Sequence, residues 1–177
     1  MGSQTINYLS PTLSLKPNLS TGTSSGADGN DFLVAIEDIH GSVHNDYLTG
    51  NSDKNIIHAH SRNDIVHRDG GNDRLYGNAG NDKIDGGSGA DIFNGGSGND
   101  SFDFSSLTDC SINAMDEIQD FEQGLDKVNL SAIEKDLSFD SFEFIVENGH
   151  TVIKDKNSDF AIDLQGQFNL NGDDFIL

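Results

Sequence analysis

The 177-residue chain contains one cysteine, two prolines, no tryptophan, and only ten lysines and arginines against thirty aspartates and glutamates. Each scarcity excludes something. Cys110 has no second thiol to pair with, so no internal disulfide forms. A small exported domain without disulfides needs another staple, typically a metal ion. The formal charge of −20, with a pI near 4.2, leaves no basic patch for nucleic acid or an anionic bilayer, and cations are the natural partners of such a surface. No run of about 18 apolar residues is available to span a membrane. Residues 1–30 also lack the basic-then-apolar order of a secretory leader. Strong acidity alone would suggest disorder. Eleven phenylalanines and evenly spaced Ile, Leu and Val argue for a packed core instead.

What the chain has in quantity is glycine, asparagine and aspartate on a fixed beat, as in "GNAGNDKIDGGSGADIFNGGSGNDSFDF" at 77–104. From residue 41 to 103 the period is nine. Asp or Asn recurs at Asp46, Asn55, Asp64, Asp73, Asp82, Asp91 and Asp100. Two places later an apolar residue recurs at Leu48, Ile57, Val66, Leu75, Ile84, Phe93 and Phe102. "GADGNDFLV" at 26–34 reads as an eighth copy, offset from the series. Each unit is six turn residues and three strand residues. Side chains alternate across a strand, so the single apolar residue points inward and its neighbours, such as Lys83 and Asp85, point out. Two units make one coil, and the coils stack into an all-β, right-handed parallel β-roll.

The turns carry the chemistry. In "GGSGAD" at 86–91 the glycines let backbone carbonyls converge in a tight loop, and the aspartate adds a carboxylate at its end. Several hard oxygen donors in a flexible number suit Ca²⁺, whereas Mg²⁺ demands a tight octahedron and Zn²⁺ prefers nitrogen and sulfur. Stacking places loops 18 residues apart on one side, with Asp73 above Asp91 and Asp82 above Asp100. Two carboxylates roughly 5 Å apart repel by about 1 kcal/mol in water, and several-fold more where water is excluded. A Ca²⁺ ion between them reverses the sign. Glycine entropy and carboxylate repulsion are then both offset by one bound ion.

These residues resemble the nonapeptide repeats of RTX proteins, calcium-binding secreted proteins of Gram-negative bacteria. "DIFNGGSGNDSFDFSSLTD…MDEIQDFEQGLDKVNLSAI" is similar to the C-terminal segment of serralysin-type exoproteins, and "DDFIL" to the terminus of type I secretion substrates. Together they cover residues 41–177. The resemblance implies ligand sets. An upper loop gives carbonyls at its second and fourth positions plus its Asp, and the lower loop gives carbonyls at its first and third positions plus its Asp. One site is then Asp69, Gly71 and Asp73 with Gly86, Ser88 and Asp91. A second is Asn78, Gly80 and Asp82 with Gly95, Ser97 and Asp100. A closing site takes Gly87, Gly89 and Asp91 with Asp109 and Asp116. A weaker site takes His60, Arg62 and Asp64 with Gly77, Ala79 and Asp82. Loops 50–55 and 59–64 have lost glycines, and Arg62 puts positive charge inside a loop, so sites further toward the N-terminus are disfavoured.

The flanks read differently. Residues 1–30 form a Ser/Thr-rich linker with at most a short strand at Ile6–Leu9, 31–103 the roll, and 104–177 a β-rich cap. The cap carries a hairpin signal at Asn148-Gly149 and a capping-box pattern, Ser131 to Glu134, for one helical turn. Gly22-Thr23-Ser24-Ser25-Gly26 matches G-x-S-x-G without the strand–turn–helix setting of a nucleophile. No H-E-x-x-H occurs, and Cys110 has no histidine at recognisable spacing. The six histidines read as surface residues, with His58 and His67 at the same outward repeat position.

The expectation is a non-enzymatic, monomeric, extracellular calcium-binding module of a larger bacterial exoprotein. It would fold on Ca²⁺ outside the cell, with Asp173-Asp174-Phe175-Ile176-Leu177 forming part of a signal for the type I exporter. The alternative is a module that binds a polysaccharide or cell surface, as in repeat modules of alginate epimerases or in an adhesin. Tyr47 and Tyr76 are the aromatic candidates for that contact.

Overall fold

The computed structural model describes residues 4–7, 16–26, 29–32, 36–67, 69–133 and 136–177. Short strands alternate between two sheets, as a nine-residue unit and an 18-residue coil require. In the first sheet Thr5–Asn7, Asp38–His40, Ile56–His58, Arg74–Ala79, Ile92–Ser97, Asp116–Ile118 and Ala161–Gln165 lie parallel in that order. His150–Asp155 and Phe142–Glu147 then close its edge antiparallel. In the second sheet Lys16–Asn18, Tyr47–Thr49, Ile65–His67, Lys83–Asp85, Ser101–Asp103, Lys127–Asn129 and Phe175–Ile176 run parallel. Thr23–Gly26 and Gly29–Phe32 add an antiparallel edge at the other end. The parallel β-roll is thus the observed fold.

Register puts one apolar residue above the next in two columns. Ile6, Ile39, Ile57, Leu75, Phe93, Ile118 and Leu164 align on the first sheet. Leu48, Val66, Ile84, Phe102, Val128 and Phe175 align on the second. Each predicted inward residue from Leu48 to Phe102 is at most 1 % exposed. The core is therefore a ribbon one side chain wide from each sheet, and it widens only at the C-terminal end. There Phe93 meets Phe102 and Phe104, Phe104 meets Phe160 edge-on, and Phe142 stacks on Phe175. Phenylalanine supplies the area that a narrow ribbon lacks.

Several expectations change. The eighth repeat copy is not the offset run at 26–34. It is Glu37-Asp38-Ile39, nine residues before Asp46-Tyr47-Leu48, with Ile39 fully buried and Glu37 standing where the others carry Asp or Asn. The periodicity is hidden there because the first member of the unit is Glu. Ile6 lies on the strand Thr5–Asn7, which pairs with Asp38–His40, and Tyr8 and Leu9 fall outside the described residues. Parallel coiling also continues past residue 103, through Asp116–Ile118, Lys127–Asn129 and Ala161–Gln165. Ser131–Ile133 is a turn rather than a helix, and Glu134 lies outside the described residues. The hairpin at Asn148-Gly149 forms as read, both residues at positive φ (50° and 88°) as a two-residue type I′ turn requires. Ser24 is buried within a strand, which excludes an exposed nucleophile there.

Phe102 lies at the junction of the ribbon and the aromatic cap. Phe102→Ala is expected to destabilise the calcium-loaded chain by about 3–5 kcal/mol, measured by denaturant unfolding in excess Ca²⁺.

Candidate metal centre

Each repeat aspartate sits where its turn enters a strand, and its two oxygens do different things. The Oδ1 of Asp64 accepts the backbone N–H of Asp46, that of Asp82 the N–H of Asp64, and that of Asp100 the N–H of Asp82, at 2.7–2.8 Å. The other side of the roll repeats this, Asp73 accepting from Asn55 and Asp91 from Asp73. Each carboxylate therefore fastens its coil to the one before. The Oδ2 atoms of Asp64, Asp82 and Asp100 are buried without a hydrogen-bond partner. An orphaned carboxylate oxygen under cover is costly and calls for a cation.

The stacked loops aim backbone carbonyls into the same spaces. A Cβ on Gly96 or Gly98 would collide with the carbonyl oxygens of Asn78 and Gly80 in the coil above. From below, the Gly95 carbonyl lies 2.6 Å from where a Cβ of Gly77 would sit, and the Ser97 carbonyl accepts the N–H of Gly80 at 2.9 Å. The six residues Asn78, Gly80, Asp82, Gly95, Ser97 and Asp100 are thereby brought together. On the opposite side the Gly71 carbonyl abuts Gly89, and the Ser88 carbonyl accepts the N–H of Gly71 at 3.0 Å. Gly86 packs against the Asp91 carboxylate. Asp69 differs in that its side chain accepts a hydrogen bond from the Ser20 hydroxyl.

Further toward the N-terminus the arrangement thins. The Arg62 carbonyl abuts Gly80, Gly77 packs against the Asp82 carboxylate, and the His60 carbonyl accepts the N–H of Ala79 at 3.1 Å, as in the other loops. Arg62 adopts φ 76°, a conformation that suits glycine. One step earlier Asn55 buries an amide Nδ2 without a partner, and a donor group there disfavours a cation.

At the C-terminal end Asp116 joins the ladder by accepting the N–H of Asp91 at 2.8 Å. Asp109 contributes mainly backbone: its carbonyl accepts the N–H of Gly89, while its Oδ2 caps the N–H groups of Ser105 and Ser106. Two residues went unrecognised in the sequence. Asp126 continues the other column, accepting the N–H of Asp100 at 2.9 Å, and Asp120 accepts the N–H groups of both Gly95 and Gly96. Asp126-Lys127-Val128 repeats the Asp-x-apolar signature of the units, as does Asp116-Glu117-Ile118. The irregular spacing between units had hidden it.

Burial pushes these carboxyls up from the usual range near 3.8: Asp82 to about 6, Asp100 to about 7, Asp64 and Asp116 to about 8. Neighbouring carboxylates of the ladder add to the rise at Asp64, Asp100 and Asp116. Among the described residues no three His, Cys, Asp or Glu side chains gather as a metal-ligand group. A cation here draws its remaining oxygens from the backbone, which fits Ca²⁺ and not a thiol- or imidazole-seeking ion. Cys110 is buried, and burial, with Asp116 and Asp109 nearby, holds its thiol protonated.

The outward surfaces differ from expectation. Consecutive nine-residue units lie on opposite sheets, so His58 and His67 are not neighbours. His58 stacks between His40 and Tyr76 at 4.8 and 4.4 Å, making a short aromatic row on the first sheet, and His67 pairs with Asp85 at 3.0 Å.

Residues 36–66 and 67–102 match the family of the RTX calcium-binding nonapeptide repeat. Repeats of this family bind Ca²⁺, several ions across a run. No curated protein matches the chain. Among solved structures the chain is similar to the AlgE6R3 subunit of the Azotobacter vinelandii mannuronan C5-epimerase. Identity is 29%, coverage 72% of this chain and 80% of that one, and the TM-score 0.60. The AlgE6R2 subunit of the same epimerase is similar at 26% identity, over 73% of this chain and 91% of that one, with a TM-score of 0.57.

The ladder makes the metal-free roll sensitive to pH. Its raised carboxyls hold protons in the metal-free roll that the unfolded chain, titrating near 3.8, has released. That contribution is complete below pH 3.8, and it is lost as pH rises toward 8. Protons thus stand in for Ca²⁺, and the β-sheet content of the chain in excess chelator, read by circular dichroism, is expected to fall from pH 5.5 to pH 7.5. A content indifferent to pH would contradict the geometry. Asp126→Asn, outside the nonapeptide run, is expected to weaken Ca²⁺ binding about tenfold by calorimetry, as a charge lost from the ladder should.

Proposed function

We propose that this RTX module is a calcium-triggered folding and export unit of a larger secreted bacterial protein. The observation that carries the reading is the buried row of carboxylate oxygens without partners at Asp64, Asp82 and Asp100, spaced one coil apart. The best-formed ion site uses Asn78, Gly80, Asp82, Gly95, Ser97 and Asp100. The opposite one uses Asp69, Gly71, Asp73, Gly86, Ser88 and Asp91. A closing site uses Gly87, Gly89, Asp91, Asp109 and Asp116, and a weaker site uses Asp64, Gly77, Ala79 and Asp82 with the His60 and Arg62 carbonyls.

At low cytosolic Ca²⁺ the ladder repels itself and the chain stays unfolded, a state fit for threading through a type I exporter. Outside, Ca²⁺ binding becomes folding free energy. The phenylalanine cap offers the first nucleus, because it contains most of the aromatic contacts. The run Asp173-Asp174-Phe175-Ile176-Leu177 serves as part of the export signal. In the folded chain Asp174 and Phe175 are buried, and Asp174 accepts the N–H groups of Gly124 and Asn171, so recognition would precede folding. The unit comprises an N-terminal segment at 1–30 whose strands Thr5–Asn7 and Lys16–Asn18 join the two sheets, the nonapeptide roll at 31–103, and a cap at 104–177 whose first strands carry the parallel coiling on. It acts as a monomer and without catalysis of its own.

A polysaccharide-binding role is the second reading. It is favoured by the likeness to subunits of a mannuronan C5-epimerase and by the His40–His58–Tyr76 row.

The test is export of a reporter fused before residue 1 in cells carrying a type I exporter. Reporter is expected in the medium, and removal of residues 173–177 should cut its export by at least tenfold. Equal export with and without those residues would overturn the assignment. Alginate binding that is lost in Tyr76→Ala would promote the second reading.

A further inference from the structure

Beside Asp46, the first carboxylate of one column, three imidazoles meet at the glycine-poor coils. His40 and His58 end adjacent parallel strands in direct register, and their rings stack. His60, two residues further into the turn, brings its ring to 5.5 Å from His40 and 6.2 Å from His58. Its Nε2 stands 3.4 Å from the Nδ1 of His40. The backbone at His60 has φ 82°, a left-handed conformation that side chains disfavour. The equivalent turn position is Asn78, at φ 73°, in the next coil, and Gly87, at φ 68°, and Gly96, at φ 94°, in the other loops. At His60 this conformation holds a third imidazole over the other two.

We propose that the His40 and His60 rings form an open two-imidazole site for a borderline divalent transition ion, Zn²⁺ or Cu²⁺, built from ring nitrogens and not from the carbonyl and carboxylate oxygens that suit calcium. Neutral imidazole nitrogen suits such ions and not Ca²⁺. Two nitrogens bonded at about 2.0–2.1 Å to one tetrahedral ion stand roughly 3.4 Å apart, which is the separation found between Nδ1 and Nε2. No third side chain completes a group among the described residues, so the other coordination positions are open to water or to an exogenous ligand. The His58 ring, stacked between His40 and Tyr76, fixes the plane of His40 from one side. The hard-ion and borderline-ion sites would then use different atoms of the same coils, oxygens for one and ring nitrogens for the other.

The test is calorimetric titration of Zn²⁺ into the full chain held in excess Ca²⁺, with His40→Gln, His60→Gly and His67→Gln alongside. The parent is expected to take up one Zn²⁺ per chain. His40→Gln and His60→Gly should each bind at least tenfold more weakly, with circular dichroism in Ca²⁺ confirming that both are folded. His60→Gly installs the residue used at that turn position in two other loops. If His40→Gln fails to fold, His60→Gly is the variant that decides. His67→Gln, which removes the imidazole beside Asp85, should bind as the parent does. Absence of Zn²⁺ uptake at 100 μM (about fifty-fold above a roughly 2 μM dissociation constant, near −8 kcal/mol) overturns the proposal. So does parental affinity in both the His40 and His60 variants, or loss of binding in His67→Gln.

Discussion

The structure depends on one unusual contact: a buried aspartate whose first oxygen accepts a backbone N–H one coil away while its second finds no partner. Eighteen residues separate donor and acceptor at each step from Asp46 to Asp100. The first oxygen makes the coils stack in strict register. The second makes the stack dependent on a cation, because buried carboxylates one coil apart repel and are left half-solvated. A roll with only one inward residue per strand buries too little apolar surface to override that repulsion. Stacking, register and ion requirement thus come from one side chain placed at a fixed interval.

Most of this was legible in the chain, for a physical reason. A nine-residue unit that closes half a coil must repeat its inward residue and its turn chemistry together, so Leu48 to Phe102 and Asp46 to Asp100 declare both the core and the ladder. The glycines identify the turns, because the carbonyl of the coil above occupies the space a Cβ would need at Gly96 and Gly98. What was hidden is where the strict interval lapses. Asp126 and Val128 follow Asp100 and Phe102 by 26 residues instead of 18, since a longer excursion intervenes, yet they enter the same register. Glu37 broke the Asp/Asn pattern and concealed Ile39. Asp120 has no sequence signature, because its role is to accept two N–H groups that the last glycine loop leaves without a coil beneath them.

The roll is also graded along its axis. Toward the C-terminus, intact loops, orphaned carboxylates and a phenylalanine-rich cap coincide. Toward the N-terminus, Arg62 enters a turn, Asn55 replaces an aspartate, and imidazoles occupy the outer face. Folding that starts at the cap and proceeds toward residue 36 would meet its strongest ion sites first, and each coil would template the next through the aspartate-to-backbone bond. The cap is then more than an end-stop. It is the surface on which the first parallel coil can form without a partner coil of its own.

The most direct test is far-UV circular dichroism of the metal-free chain during Ca²⁺ titration at pH 7.5. The account predicts a largely unstructured starting spectrum and a cooperative transition to β-sheet in the range of roughly 0.1–1 mM. A chain already fully β in excess chelator, and unchanged on adding Ca²⁺, would show that the ladder is stable without its ion and would contradict the account.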